Sequence, residues 1–201
     1  MEATFPWNLT LFHLINASAA PNGAIVLMAK GLAVFTPWIA VGILLLYWFR
    51  RTPEIRRSLM IAGVALGFAL AVNFSLASAM YEPRPFVLGI GNTLLVHGPE
   101  TSFPSDHATF LWSLGFGLLM SRSLPVLGIF VCVLGGATAW ARVYLGVHFP
   151  LDMAASFIIS LIAAVLARAL AGKLEGVLFQ PVERLNGALM KTASDLLKRR
   201  P

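Results

Sequence analysis

The run from Leu59 to Met80, LMIAGVALGFALAVNFSLASAM, contains no charged residue. Its length is close to the roughly 20 residues a helix needs to cross the hydrocarbon core of a bilayer. A second uncharged run extends from Leu124 to Ala141. Neither alternates as a strand would, and a helix satisfies all its backbone hydrogen bonds within one segment, as lipid requires. Of the 201 residues, 58% are hydrophobic and only 12% charged, too little charge to cover a soluble domain. The chain therefore reads as an all-α membrane protein, a bundle of about five transmembrane helices. The expected spans are Ala24–Phe49, Ser58–Met80, Ser105–Met120, Leu124–Ala141 and Leu151–Leu170. Pro37 is expected to bend the first. Gly63 with Gly67, and Gly135 with Gly136, are expected to let neighbouring helices approach. With no internal repeat or Gly/Ser linker, the division is an interfacial segment at 1–23, the bundle at 24–170 and an amphipathic tail at 171–201.

A net charge of +6 in a soluble protein would suggest nucleic acid. Here the basic residues flank apolar spans, so orienting the chain in its membrane is the more economical reading. Arg50, Arg51, Arg56 and Arg57 lie between spans one and two, and Arg122 between three and four. Arg168 closes span five and Lys173, Arg184, Lys191, Lys198, Arg199 and Arg200 follow it, which puts all of these on the cytoplasmic side and the N-terminus outside. The first positive charge is Lys30, so the N-terminus lacks the basic start of a cleaved leader and the first span is read as retained. Cys132, the one cysteine, lies in an apolar run and reads as packing. Phe5–Ile15 is apolar and aromatic but too short to span, and reads as interfacial. Leu178, Val182, Leu185, Leu189 and Leu196 recur at helical spacing among basic residues, suiting an anionic leaflet or a partner helix.

Polar chemistry concentrates in the loops that this topology places outside. Tyr81-Glu-Pro-Arg-Pro-Phe86 and Glu100-Thr-Ser-Phe-Pro-Ser-Asp-His107 share one loop, and Arg142-Val-Tyr-Leu-Gly-Val-His-Phe-Pro-Leu-Asp152 joins spans four and five. Arg84, His107, Arg142, His148 and Asp152 thus fall at one level of the membrane. Two guanidiniums can clamp a phosphate and neutralise charge developing in phosphoryl transfer. The helix start at Ser105-Asp106-His107 offers unpaired N–H groups to an anion, and Ser105 a hydroxyl. Pro150 fits the first turn of span five, which places Asp152 near the positive end of the helix dipole. From four residues on, Asp152 can accept from one ring nitrogen of His148 and leave the other able to attack phosphorus.

Arg84-Pro85, then Pro104-Ser-Asp-His107, then Arg142 with His148 and Asp152 resemble the three motifs of the type 2 phosphatidic acid phosphatase superfamily, in order, over roughly Ser58 to Leu170. The run from Arg84-Pro-Phe through Glu100-Thr-Ser-Phe-Pro-Ser-Asp-His-Ala-Thr-Phe110 is similar to the bacitracin-resistance branch, whose members are undecaprenyl-diphosphate phosphatases of the bacterial inner membrane. The resemblance implies that His148 is the nucleophile of a phosphohistidine intermediate, oriented by Asp152. It implies His107 as the acid and then the base, and Arg84, Arg142, Ser105 and Asp106 as holders of the transferring phosphate. It implies no metal and no cofactor. Three positions depart from the pattern: Ala77 replaces a lysine, Asp106 a glycine and Ala141 a serine. Lys30 is the candidate to replace the missing lysine's charge.

Taken singly, each residue has a plainer reading: Arg84 and Arg142 as headgroup anchors, His148 as structural, Ser105 and Asp152 as helix-start residues. Jointly, their order on one face favours a site. Glu82, His97 and Glu100 could touch a second phosphate, but the plainer reading as solvated loop residues is preferred for them. His13 and the tryptophans Trp38, Trp48, Trp112 and Trp140 are assigned no chemistry. The expected reaction is hydrolysis of a polyprenyl diphosphate lipid at the bilayer surface. A phosphatase for phosphatidylglycerophosphate or phosphatidic acid is the rival, and a non-enzymatic transporter ranks below both, because mid-span charges are lacking.

Overall fold

A computed structural model describes residues 5–50, 52–121 and 123–198. Among these described residues seven α-helices follow in order: α1 (Pro6–Ile15), α2 (Gly23–Arg50), α3 (Pro53–Ala79), α4 (Asp106–Ser121), α5 (Pro125–Tyr144), α6 (Pro150–Leu174) and α7 (Gln180–Lys198). A π-helical turn, Glu175–Phe179, joins α6 to α7. Local sequence explains the starts. The Asn22 side chain accepts from the Ala24 N–H at 2.9 Å to open α2. Pro53, Pro125 and Pro150 each occupy a first-turn position, where the missing N–H costs nothing. The basic positions Arg51, Arg122, Arg199 and Arg200 lie outside the described residues.

Among the described residues, the stretches Gly23–Phe49, Pro53–Ala79, Pro125–Tyr144 and Pro150–Thr192 are long and apolar enough to cross a membrane. The remaining core helix, α4, has only 16 residues. It occupies the centre of the bundle between α3, α5 and α6, with Leu111, Leu114 and Leu118 buried, so it need not face lipid along its length. Helices α2 to α6 coincide with the five expected spans to within a few residues.

The glycine expectation is corrected in part. Gly63, Gly67 and Gly136 face open space. Gly117 makes the α3–α4 crossing instead, where an added Cβ would stand 2.6 Å from the Ala62 Cα, and Gly135 gives room to Trp112. Two small residues in contact let the helix axes approach, whereas Gly63 and Gly67 lie on the exposed side of α3. Pro37 sits within a helix that continues through it. Its ring removes one N–H, so the Ala33 carbonyl, one turn earlier, has no helical donor.

The two terminal segments are tied to the bundle. Phe12 of α1 is fully buried against Phe149, and Asn8 accepts from the Leu151 N–H at 3.0 Å. At the opposite end, Arg56 pairs with Glu183, Arg57 with Glu175, and Trp48 donates to Asn186 at 3.1 Å. Leu185, Leu189 and Leu196 of α7 remain exposed.

Candidate active site

The site lies at the end of the bundle where α3, α4, α5 and α6 open into loops, and Arg84 organises it. Its Nε donates to the Glu100 carbonyl, its Nη2 to that of Thr101 and its Nη1 to that of Val147, each at 3.0 Å. One planar guanidinium thus joins the loop after α3 to the loop after α5. The same Nη1 reaches Nε2 of His148 at 3.0 Å. Burial pushes the Arg84 pKa down, but guanidinium stays charged and has no acceptor. Nε2 of His148 is therefore the acceptor and carries a lone pair.

The other ring nitrogen completes the assignment. Nδ1 of His148 lies 2.9 Å from Oδ2 of Asp152, and a carboxylate there fixes the proton on Nδ1. Asp152 is fully buried in the first turn of α6, where its Oδ2 also accepts the Phe149 N–H at 2.9 Å and the Ser102 hydroxyl at 2.5 Å. Burial pushes the His148 pKa down to about 3, outweighing the hydrogen bond that its Nδ1–H gives to Asp152. The imidazole is thus neutral, with its proton on Nδ1 and its lone pair at Nε2 pointing at Arg84. The turn that carries it depends on Gly146, whose φ of +76° suits glycine. An added Cβ there would come within 2.3 Å of the Asn92 carbonyl oxygen.

Around this imidazole the structure gathers groups suited to an anion. Arg142, buried near the end of α5, lies with Nη2 3.0 Å from Nε2 of His97 and Nη1 3.4 Å from the Ala33 carbonyl that Pro37 leaves unpaired. Its Nε is buried without a hydrogen-bond partner. So is the Ser105 hydroxyl at the start of α4. Two unpartnered buried donors beside a helix N-terminus are what a bound phosphate would satisfy. Ser156 holds that turn in place, accepting from the Ser105 N–H at 3.0 Å while donating toward the carbonyls of Ser105 and Asp152 at 3.1 and 2.8 Å.

Several residues stand differently from their sequence reading. His97 is part of the site: its ring meets that of His148 edge-on with centroids 6.3 Å apart. Burial and then the Arg84 charge push its pKa down, so it accepts from Arg142 as a neutral ring. Glu82 is buried, with its carbonyl receiving the Ser102 N–H at 2.7 Å. The solvated-loop reading is thus corrected for these two, because the loop folds inward around Arg84, while the Glu100 side chain does remain exposed. The Asp106 side chain turns to Asn73, accepting at 3.1 Å, so what it can offer a phosphate is its backbone N–H. His107 makes no hydrogen bond to another described residue and faces a groove. That groove, of about 560 Å³, is walled by Pro37, Trp38 and Val41 of α2, Leu70, Phe74 and Ala77 of α3, and Phe110 beside Asp106 and His107 of α4. Lys30 is exposed and has no hydrogen bond or ion pair to a described site residue.

Sequence reasoning missed Ser102, Ser156 and Asn73. For Ser156 a signal existed: Asp152, Ser156 and Ser160 recur at helical spacing within an apolar span, a polar stripe that must find partners inside the bundle.

Comparisons with known proteins agree with this geometry. The family model described as the PAP2 superfamily matches residues 58–175. The Escherichia coli (strain K12) protein YbjG is 34% identical over 167 residues, covering 80% of this chain and 81% of its own. The Bacillus subtilis (strain 168) undecaprenyl-diphosphatase BcrC is 30% identical over 120 residues, covering 60% and 61%. Among solved structures, Aquifex aeolicus LpxE superposes with a TM-score of 0.67 at 23% identity, covering 82% of this chain and 96% of its own, a likeness of fold. The family match, the relatives and the apolar helices lead to one conclusion: this chain belongs to the PAP2 superfamily, as a multi-pass membrane phosphatase.

Proposed function

We propose that this protein hydrolyses undecaprenyl diphosphate to undecaprenyl phosphate and inorganic phosphate through a phosphohistidine on His148. The observation that carries the reading is the His148 tautomer, with Nδ1–H on Asp152 and the Nε2 lone pair directed at Arg84. Arg84 and Arg142 hold the terminal phosphate, with the Ser105 hydroxyl and the first N–H groups of α4. Nε2 attacks the terminal phosphorus as the bond to the bridging oxygen breaks, and His107 gives that oxygen its proton. Water then attacks the phosphohistidine, His107 takes its proton, and the P–N bond breaks to release inorganic phosphate. The substrate assignment is supported by the name of the Bacillus relative and by an apolar groove leading to His107. On this reading, 1–23 is an interfacial segment at the outer face, 24–170 is the phosphatase bundle and 171–201 is a cytoplasmic amphipathic tail. The site then faces outward from the cytoplasmic membrane, where spent carrier lipid from cell-wall synthesis is recycled.

The test is phosphate release by purified protein in detergent with excess EDTA. Undecaprenyl diphosphate, phosphatidylglycerophosphate and phosphatidic acid are compared, each against His148→Ala. Fast EDTA-resistant turnover of the diphosphate, lost in the variant, is the expected result. A preference for a glycerolipid would overturn the substrate, and full activity in the variant would overturn the mechanism.

A further inference from the structure

One cation near the site has no task in that mechanism. Lys30 lies on α2 seven residues before Pro37. At about 3.6 residues per turn, seven residues are nearly two full turns, so Lys30 shares the azimuth of Pro37 and stands roughly 10 Å closer to the site end. Pro37 and Val41 line the apolar groove. Three residues along from Lys30, the Ala33 carbonyl meets Arg142 at 3.4 Å. Position 30 thus falls on the groove-facing side of α2, beyond the Pro37 end of the groove and about one turn from the Ala33 carbonyl that Arg142 meets. Lys30 is exposed and has no hydrogen bond or ion pair to another described residue. On the facing wall, Ala77 offers no charge.

We infer that Lys30 binds the phosphate that stays on the lipid, while the groove takes the first isoprene units of its tail. This rests on the diphosphate reading above. With the terminal phosphate against His148, Arg84 and Arg142, the chain must leave past His107, the polar corner of the groove. The retained phosphate then sits at the groove mouth, an anion at the edge of an apolar slot, where a lysine is the available counter-charge. Trp38 and Phe74, 72% and 77% exposed, leave the slot open sideways, so a tail can lie in it while remaining in the bilayer. Lys30 thereby distinguishes a diphosphate from a lipid bearing a single phosphate.

The experiment compares wild type, Lys30→Met and Lys30→Arg in detergent. Undecaprenyl diphosphate is the substrate and inorganic phosphate a competitive inhibitor. Lys30→Met is expected to raise KM for the diphosphate about tenfold, the scale of one charge-assisted hydrogen bond. Lys30→Arg is expected to restore it, and the inhibition constant for inorganic phosphate, which occupies the transferred-phosphate position, to shift less than about twofold on the same scale. Phe74→Ala is expected to raise KM about fivefold for undecaprenyl diphosphate and to leave it unchanged for methyl diphosphate, which has no tail to bury. An unchanged KM in Lys30→Met with an active wild type would overturn this inference alone. Equal shifts in KM and in the phosphate inhibition constant would also overturn it, by placing Lys30 on the transferred phosphate. A wild type that cleaves glycerolipids but no polyprenyl diphosphate would remove the substrate reading and this inference with it.

Discussion

Arg84 donates into the Nε2 lone pair of His148 at 3.0 Å, so the nitrogen that would attack phosphorus is covered by the cation that would hold the phosphate. On the proposed mechanism, an arriving phosphate oxygen would take over the guanidinium and uncover the lone pair in the same movement. Arg84→Lys keeps the charge but cannot reach the carbonyls of Glu100, Thr101 and Val147 together. It is expected to lower kcat/KM by at least about 100-fold, the scale of losing a preorganised donor. Steady-state phosphate release measures this, and near-normal activity would show that charge alone suffices.

Asp152→Asn should leave the fold in place and still cost heavily. An amide can present its NH2 to Nδ1, moving the ring proton to Nε2 and blocking attack. A kcat reduced by about 10²- to 10⁴-fold is expected, by analogy with carboxylate-to-amide changes behind other catalytic histidines. Ser102→Ala removes only one of the donors to Oδ2, so a loss of about tenfold is expected from a single hydrogen bond. If the two variants behaved alike, the tautomer argument would fail.

The pH response follows from the His148 pKa of about 3 against the ordinary 6.5. Between those values the unfolded chain binds a proton that the folded ring refuses. Stability therefore declines as pH falls through that window and is fully present above it. Histidine-labelled protein examined by ¹⁵N NMR at pH 5 should show His148 neutral with its proton on Nδ1. An imidazolium signal for His148 at that pH would contradict the burial argument.

Pro37→Ala supplies the N–H that the helix lacks, and the Ala33 carbonyl then bonds within α2 rather than sharing itself with Arg142. The variant is expected to unfold at the same temperature or higher, yet to bind inorganic phosphate several-fold more weakly, as fits one lost hydrogen bond. Competitive inhibition and a thermal melt, run together, separate the two effects. Unaltered phosphate binding would show that Arg142 is positioned by His97 alone.

Much of this was legible in the residues. Uncharged runs of spanning length fixed the helices, because lipid leaves the backbone few choices. The motif spacing placed Arg84, Arg142, His148 and Asp152 at one end. The sequence did not disclose that the loop from residue 80 to 105 folds inward, since that depends on where one guanidinium finds three carbonyls. His97 and Glu82 were misjudged for this reason. The helix contacts at Gly117 and Ala62 were missed because composition does not say which face of α3 is buried. Lys30 could be proposed for its charge, but its alignment with Pro37 has meaning only once the groove is seen.

Apart from His148, every partner of Arg84 named above is a main-chain carbonyl. A carbonyl is present whatever side chain its residue carries. Position 100, whose side chain is exposed, can therefore change identity over evolutionary time without loosening the guanidinium, provided the backbone path is kept. An exposed loop residue is thus free to drift while the clamp beneath it stays constant.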